Sequence, residues 1–99
     1  MDLVKDVFAT KAVSYKGGII MYHPQDAVDV IKFCKNIDKK IYGLDAFKLI
    51  GNDGIQPFLE FSTDYSYDGE PDKIYQKAID HIQRLSDKGL YFEVVYEGY

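Results

Sequence analysis

The sequence predicts an α+β fold, a two-layer sandwich in which two helices lie on one face of a mainly antiparallel sheet. Two amphipathic helical stripes, at residues 24–36 and from residue 71 onward, supply one layer. Runs of β-type residues at 18–22, 40–50, 55–62 and 90–96 supply the other, and the glycine pairs between them mark where the chain reverses. At 99 residues the chain has the length of one domain with one modest core.

Taken in order, Leu3 to Phe8 reads as a short helix or an extra strand ahead of residue 18. Ala12 to Tyr15 and Ile19 to Tyr22 flank Lys16-Gly17-Gly18, which is a hairpin signal. Pro24 suits a first helical turn, because the amide hydrogen it lacks would have no intrahelical acceptor there. Ala27, Val30, Ile31, Cys34 and Ile37 then recur at three- and four-residue spacing and form a buried face, with Asp29, Lys32 and Lys35 left for water. Asp26 near the positive end of this helix and Lys39 and Lys40 beyond its negative end suit the macrodipole.

Residues 40–50 read as a strand and 55–62 as its hairpin partner, joined by Gly51-Asn52-Asp53-Gly54, residues that reach positive φ cheaply. Pro57 cannot donate a ladder hydrogen bond and pushes that partner toward a sheet edge or a bulge. A second helix begins near Pro71, carries Ile74, Tyr75, Ala78, Ile79, Ile82 and Leu85 as its apolar stripe, and is expected to stop with Gly89 as its C′ residue. In the last strand Phe92, Val94 and Tyr96 alternate with Glu93 and Glu97 on the other face. The resulting β-α-β-β-α-β order matches the split β-α-β pattern of ferredoxin-like sandwiches. Pro57 sits badly in the standard version, whose third strand is internal.

The formal charge of −4 opposes capture of nucleic acid or an anionic membrane and suits a basic partner. It is unevenly placed: residues 1–40 are net +2 and residues 41–99 net −6, which puts the acidic face in the second half. Cys34 is the only cysteine and belongs to the helical core pattern, so a buried free thiol is expected. Asp2 and Asp6 interrupt the opening residues, so no signal peptide is expected, and no stretch has the roughly 18 apolar residues of a membrane span. A cytoplasmic protein is the expectation.

No residue constellation indicates catalysis, a metal or a cofactor. His23 and His81 are the only imidazoles and lack the converging ligands a metal needs, so both are expected to be structural. The glycine pairs lack the spacing of phosphate loops. Asp45, the one acid inside an apolar strand, and Glu60 in the partner strand could meet across the hairpin, but no nucleophile or oxyanion donor accompanies them. Between Glu60 and Asp72 the chain carries Glu60, Asp64, Asp68, Glu70 and Asp72 without a Lys or Arg, interleaved with Phe61, Tyr65 and Tyr67. Tyrosine offers large rigid contact area with a polar tip, so Asp45, Glu60, Asp64, Tyr65, Tyr67, Asp68 and Glu70 are the candidate partner-binding residues.

The stretch IYGLDAFKLIGNDGIQPFLEF, preceded by an amphipathic helix and followed by an acidic loop, helix and strand, resembles bacterial immunity proteins of polymorphic toxin systems, in particular immunity protein family 40. Gly43, Asp45, Phe47, Ile55 and Pro57 carry the resemblance, which extends in layout over residues 18–95. Members often place a tryptophan after the hairpin; this chain has Phe61 and Tyr65 in that region. The resemblance implies a cytoplasmic protein, without cofactor or turnover, that neutralises one cognate toxin domain by occluding its active site or an exosite. The α+β order also suits a small-molecule-sensing or regulatory module that forms a homodimer through its sheet edge.

Overall fold

The computed structural model describes residues 2–15, 17–51 and 54–99. Asp2 caps the short helix α1 (Leu3–Val7) by accepting the Lys5 amide hydrogen at 3.2 Å, which settles the opening segment as helix. Strands β1 (Val13–Tyr15) and β2 (Ile19–Met21) pair antiparallel around Gly17 and Gly18, whose φ values of 85° and 82° require residues without a Cβ. Helix α2 (Pro24–Asn36) has the expected bounds and buried face. Strand β3 (Ile41–Ile50) follows, then β4 (Gly54–Pro57), a 3₁₀ turn (Leu59–Phe61), β5 (Thr63–Asp64), helix α3 (Pro71–Arg84) and β6 (Tyr91–Tyr96).

The larger sheet is built around β3. On one side lies β6, and on the other β4 and β5 share the same edge, every pairing antiparallel. An isolated bridge between Tyr22 and Phe92 ties the β1–β2 hairpin to the far side of β6. Reading across, the order is β2, β6, β3, then β4 with β5. Both helical connections are therefore split: β6 lies between β2 and β3, and β3 lies between β5 and β6. The α+β class and two-layer arrangement are as expected, but these pairings do not confirm the ferredoxin-like order, in which the hairpin's second strand would be internal. Pro57 sits on edge strand β4, opposite Phe47, where its missing amide hydrogen faces no neighbouring strand.

Helices α2 and α3 pack on each other and on β6 and β3, respectively. Ile41, Leu44 and Ala46 of β3 and Phe92, Val94 and Tyr96 of β6 point toward them and join one contiguous buried cluster with Val30, Ile31, Ala78 and Ile82. A bulge places Tyr42 as the extra residue between the Ile41–Tyr96 and Gly43–Val95 pairs, which allows Ile41 and Leu44 to face the core although three residues apart.

The expected second hairpin strand over residues 55–62 is broken. After Phe58 donates its amide hydrogen to Ala46 O at 2.8 Å, the chain loops outward through the 3₁₀ turn. Ser62 Oγ then accepts the Ala46 amide hydrogen at 3.0 Å and donates to Phe58 O at 2.9 Å. The hydroxyl bridges the ladder bond that the two backbones would otherwise make directly, so the excursion leaves no central-strand donor unpaired. Helix α3 also ends earlier than Gly89 suggests: its C-cap is Leu85, and Gly89, at φ 70°, belongs to the turn entering β6. Asn52 and Asp53 of the expected turn, and Lys16 of the first hairpin, lie outside the described residues.

Candidate functional site

The candidate residues fall into two groups. Asp45 lies on the sheet face turned away from α2 and α3, together with Gly43 and Phe47, because β3 alternates. Its neighbour is not Glu60, which stands exposed on the 3₁₀ turn. Directly opposite Asp45 in the β3–β6 register is Glu93. Glu93 is half-buried; its carboxyl is held above the ordinary range by that burial and by Asp45, although the Tyr99 hydroxyl donates to it at 2.6 Å and pulls the other way. Tyr99 in turn packs edge-on against Tyr96 and carries Lys5 Nζ 4.9 Å from its ring centre.

The second group is the connection from β5 to α3. Asp64 accepts the Ser66 amide hydrogen at 2.8 Å, and the hydrogen bonds from Ser66 hold its carboxyl below the usual carboxylate range. Asp68 accepts the Glu70 amide hydrogen at 3.1 Å and pairs with Lys77 Nζ at 2.9 Å; Lys77 is the main cause of its lowered pKa. Glu70 pairs with Lys73 at 2.8 Å. The loop is therefore less acidic than its sequence suggests, because the first turns of α3 return two lysines to it. Their four-residue spacing, which places them on one helix side, was the signal. Tyr65 is half-buried against the core and its amide hydrogen is held by Tyr42 O at 2.7 Å, so its ring is not free contact area. Tyr67 is the opposite case, 96% exposed at the loop tip.

Sequence reasoning missed Glu93 and Tyr42 as members of the site. Glu93 was legible as outward-facing, but its position against Asp45 depends on β6 lying beside β3. Tyr42, Gly43, Asp45, Thr63, Asp64, Ser66 and Val95 line a hollow of about 280 Å³ on the same sheet face. A larger hollow, about 350 Å³, lies elsewhere, between the start of α2 and the end of α3, and its walls include Pro24, Val28 and Ile82.

Both histidines have structural surroundings. His23 packs at a tilt against Tyr91, ring centres 4.8 Å apart, and its side chain makes no capping hydrogen bond. His81 Nε2 lies 2.6 Å from Phe61 O, so that nitrogen carries the proton and donates, leaving Nδ1 to accept from Arg84 Nη2 at 3.3 Å. Among the described residues, no three side chains of metal-binding type converge, and no helix is long and apolar enough to cross a membrane. Compared with protein-family models, with curated proteins and with solved structures, the chain matches none.

Proposed function

We propose that this chain is an immunity protein, which binds a cognate bacterial toxin domain in the cytoplasm and neutralises it by covering its active site or an adjacent exosite. The observation that carries the reading is the acidic sheet face of Asp45, Glu93 and Asp64, bordered by Tyr42 and, on the neighbouring loop, by the fully presented Tyr67. Acid beside rigid aromatic area suits a basic protein partner, and complementary charge raises encounter rates toward roughly 10⁸ M⁻¹s⁻¹ at low salt. Occlusion needs no cofactor or turnover. The resemblance at Gly43, Asp45, Phe47, Ile55 and Pro57 supports the same reading, since these residues build the acidic face and the edge beside it.

The test is co-expression with the variable C-terminal domain of a large protein encoded immediately upstream, scoring survival and co-purification. Rescue with a stable complex is the expected outcome; cells that die and a chain that elutes alone would overturn the reading. The hollow at Pro24, Val28 and Ile82 favours a second reading, a small-molecule-sensing module. Thermal-shift measurements across a metabolite panel would support it through a saturable rise in Tm and remove it through a flat response.

A further inference from the structure

On the reading of this protein as a partner-binding immunity protein, we infer that the partner docks an arginine side chain into the pit over Gly43, on the sheet face turned away from the helices. The pit follows from the register. Gly43 faces Val95 of β6 on one side and Asp64 of β5 on the other, so the row of outward side chains has a gap at its centre. The gap is enforced, because a Cβ on Gly43 would lie 2.7 Å from the Thr63 carbonyl oxygen. Asp45, two residues along on the same face, and the half-exposed ring of Tyr42 complete the walls.

The chemistry of the walls selects a cation. Asp45 and Asp64 offer carboxylate oxygens and Thr63 a carbonyl oxygen, all acceptors, and among the described residues none that lines the pit is basic. The ion pairs among the described residues are Lys5–Asp2, Lys73–Glu70 and Lys77–Asp68. The acids of the loop tip are thus balanced within the chain, whereas Asp45, Asp64 and the neighbouring Glu93 are not. Asp45 and Asp64, in none of these pairs, leave the walls of the pit negatively charged and complementary to a basic partner. A guanidinium suits it better than an ammonium. Its planar fork of donors can engage carboxylates on two adjacent strands at once, and its face can stack on a tyrosine ring.

The test is an amide-resolved NMR titration of the full chain with a capped Gly-Arg-Gly peptide, beside the same peptide carrying citrulline or lysine. The expected result is saturable shifts at Gly43, Asp64, Ser66 and Val95 with the arginine peptide, weaker ones with lysine and none with citrulline. Absent shifts, an equal response to citrulline or lysine, or shifts centred on residues 67–70 would overturn the inference. Asp45→Asn with Asp64→Asn keeps shape and the Ser66 turn while removing charge, and should abolish the response in a chain whose remaining spectrum is unchanged; a persisting response counts against the pit. The double variant should also weaken the toxin complex by about ten-fold or more, as loss of charge-assisted interface contacts does. A wild-type chain that rescues cells alongside an equally tight double variant would overturn the pit and leave the immunity reading standing. An arginine response without rescue would support the pit and count against immunity.

Discussion

Asp45 and Glu93 face each other across the β3–β6 ladder, two carboxyls side by side on a sheet face, and among the described residues no lysine or arginine pairs with either. Burial and the Asp45 neighbour raise the Glu93 pKa, so the folded chain keeps that proton to higher pH than the unfolded chain does. Between the ordinary glutamate value and the raised one the folded state binds more protons, and stability from this group falls as pH rises through that window. Asp2 acts oppositely: burial alone would raise its pKa, but the Tyr96 hydroxyl and the Lys5 amide hold it below the usual value, so its contribution is lost in acid. The difference between wild type and Glu93→Gln isolates the glutamate. Urea unfolding from acid to neutral pH should show the variant gaining on the wild type as pH rises; a constant difference would remove the account of a raised Glu93 pKa.

The Ser62 hydroxyl joins the Ala46 amide hydrogen to the Phe58 carbonyl, at 3.0 and 2.9 Å. Ala46 is completely buried, so Ser62→Ala leaves a central-strand donor without its partner. The expected cost is about 1–3 kcal/mol, the usual range for an orphaned buried group. Denaturant titration measures it, and a loss near zero would show that the Ala46 amide hydrogen reaches the Phe58 carbonyl directly.

At Gly43 the constraint is steric rather than conformational. A Cβ would meet a backbone oxygen of β5 at 2.7 Å, and backbone cannot rotate aside as a side chain can. Gly43→Ala should therefore cost about 1–3 kcal/mol, as overpacking generally does. Thermal unfolding of the variant checks this, and an unchanged Tm would mean that β5 shifts freely.

Much of this was legible in the sequence where the signal is local. The α2 stripe from Ala27 to Cys34 and the alternation of Phe92, Val94 and Tyr96 depend only on the period of the backbone, and both survive intact. Pro57 correctly marked an edge, because a missing amide hydrogen is a property of the residue itself. The strand order, and with it the pairing of Asp45 with Glu93, depends on contacts between residues 48 apart in sequence, which no window of local pattern contains. Ser62 is illegible for a related reason: its role exists only once β3 lies alongside. A regular hairpin could have brought Glu60 to Asp45, but the outward turn that Ser62 closes carries it away.

Asp38 is the one described residue other than glycine with positive φ, at 61°. It follows the α2 C-cap, Ile37, and its amide hydrogen bonds Lys35 O at 3.2 Å while that of Lys39 bonds Cys34 O at 2.8 Å, the pair of bonds that closes a helix through a left-handed residue. Glycine adopts that conformation without the Cβ penalty but loses more entropy on folding. Asp38→Gly should leave a net stabilisation of about 0.5 kcal/mol, the difference between those two effects. A rise in the denaturation midpoint checks it, and a fall would mean that the aspartate side chain contributes more than its backbone costs.

Cys34 sits in the α2 stripe with no exposed surface, and burial pushes its thiol up to about 12. Thiolate, not thiol, attacks disulfide reagents, so at neutral pH two barriers act together: the charged form is scarce and the sulfur is out of reach. Modification of the native chain by a chromogenic disulfide should then proceed only through opening of the core. Its rate should rise with denaturant in parallel with the unfolded fraction, as expected when opening and closing are fast relative to modification. Rapid labelling in the absence of denaturant would show instead that α2 separates locally from β6, and would place the weakest part of the fold in the helical layer.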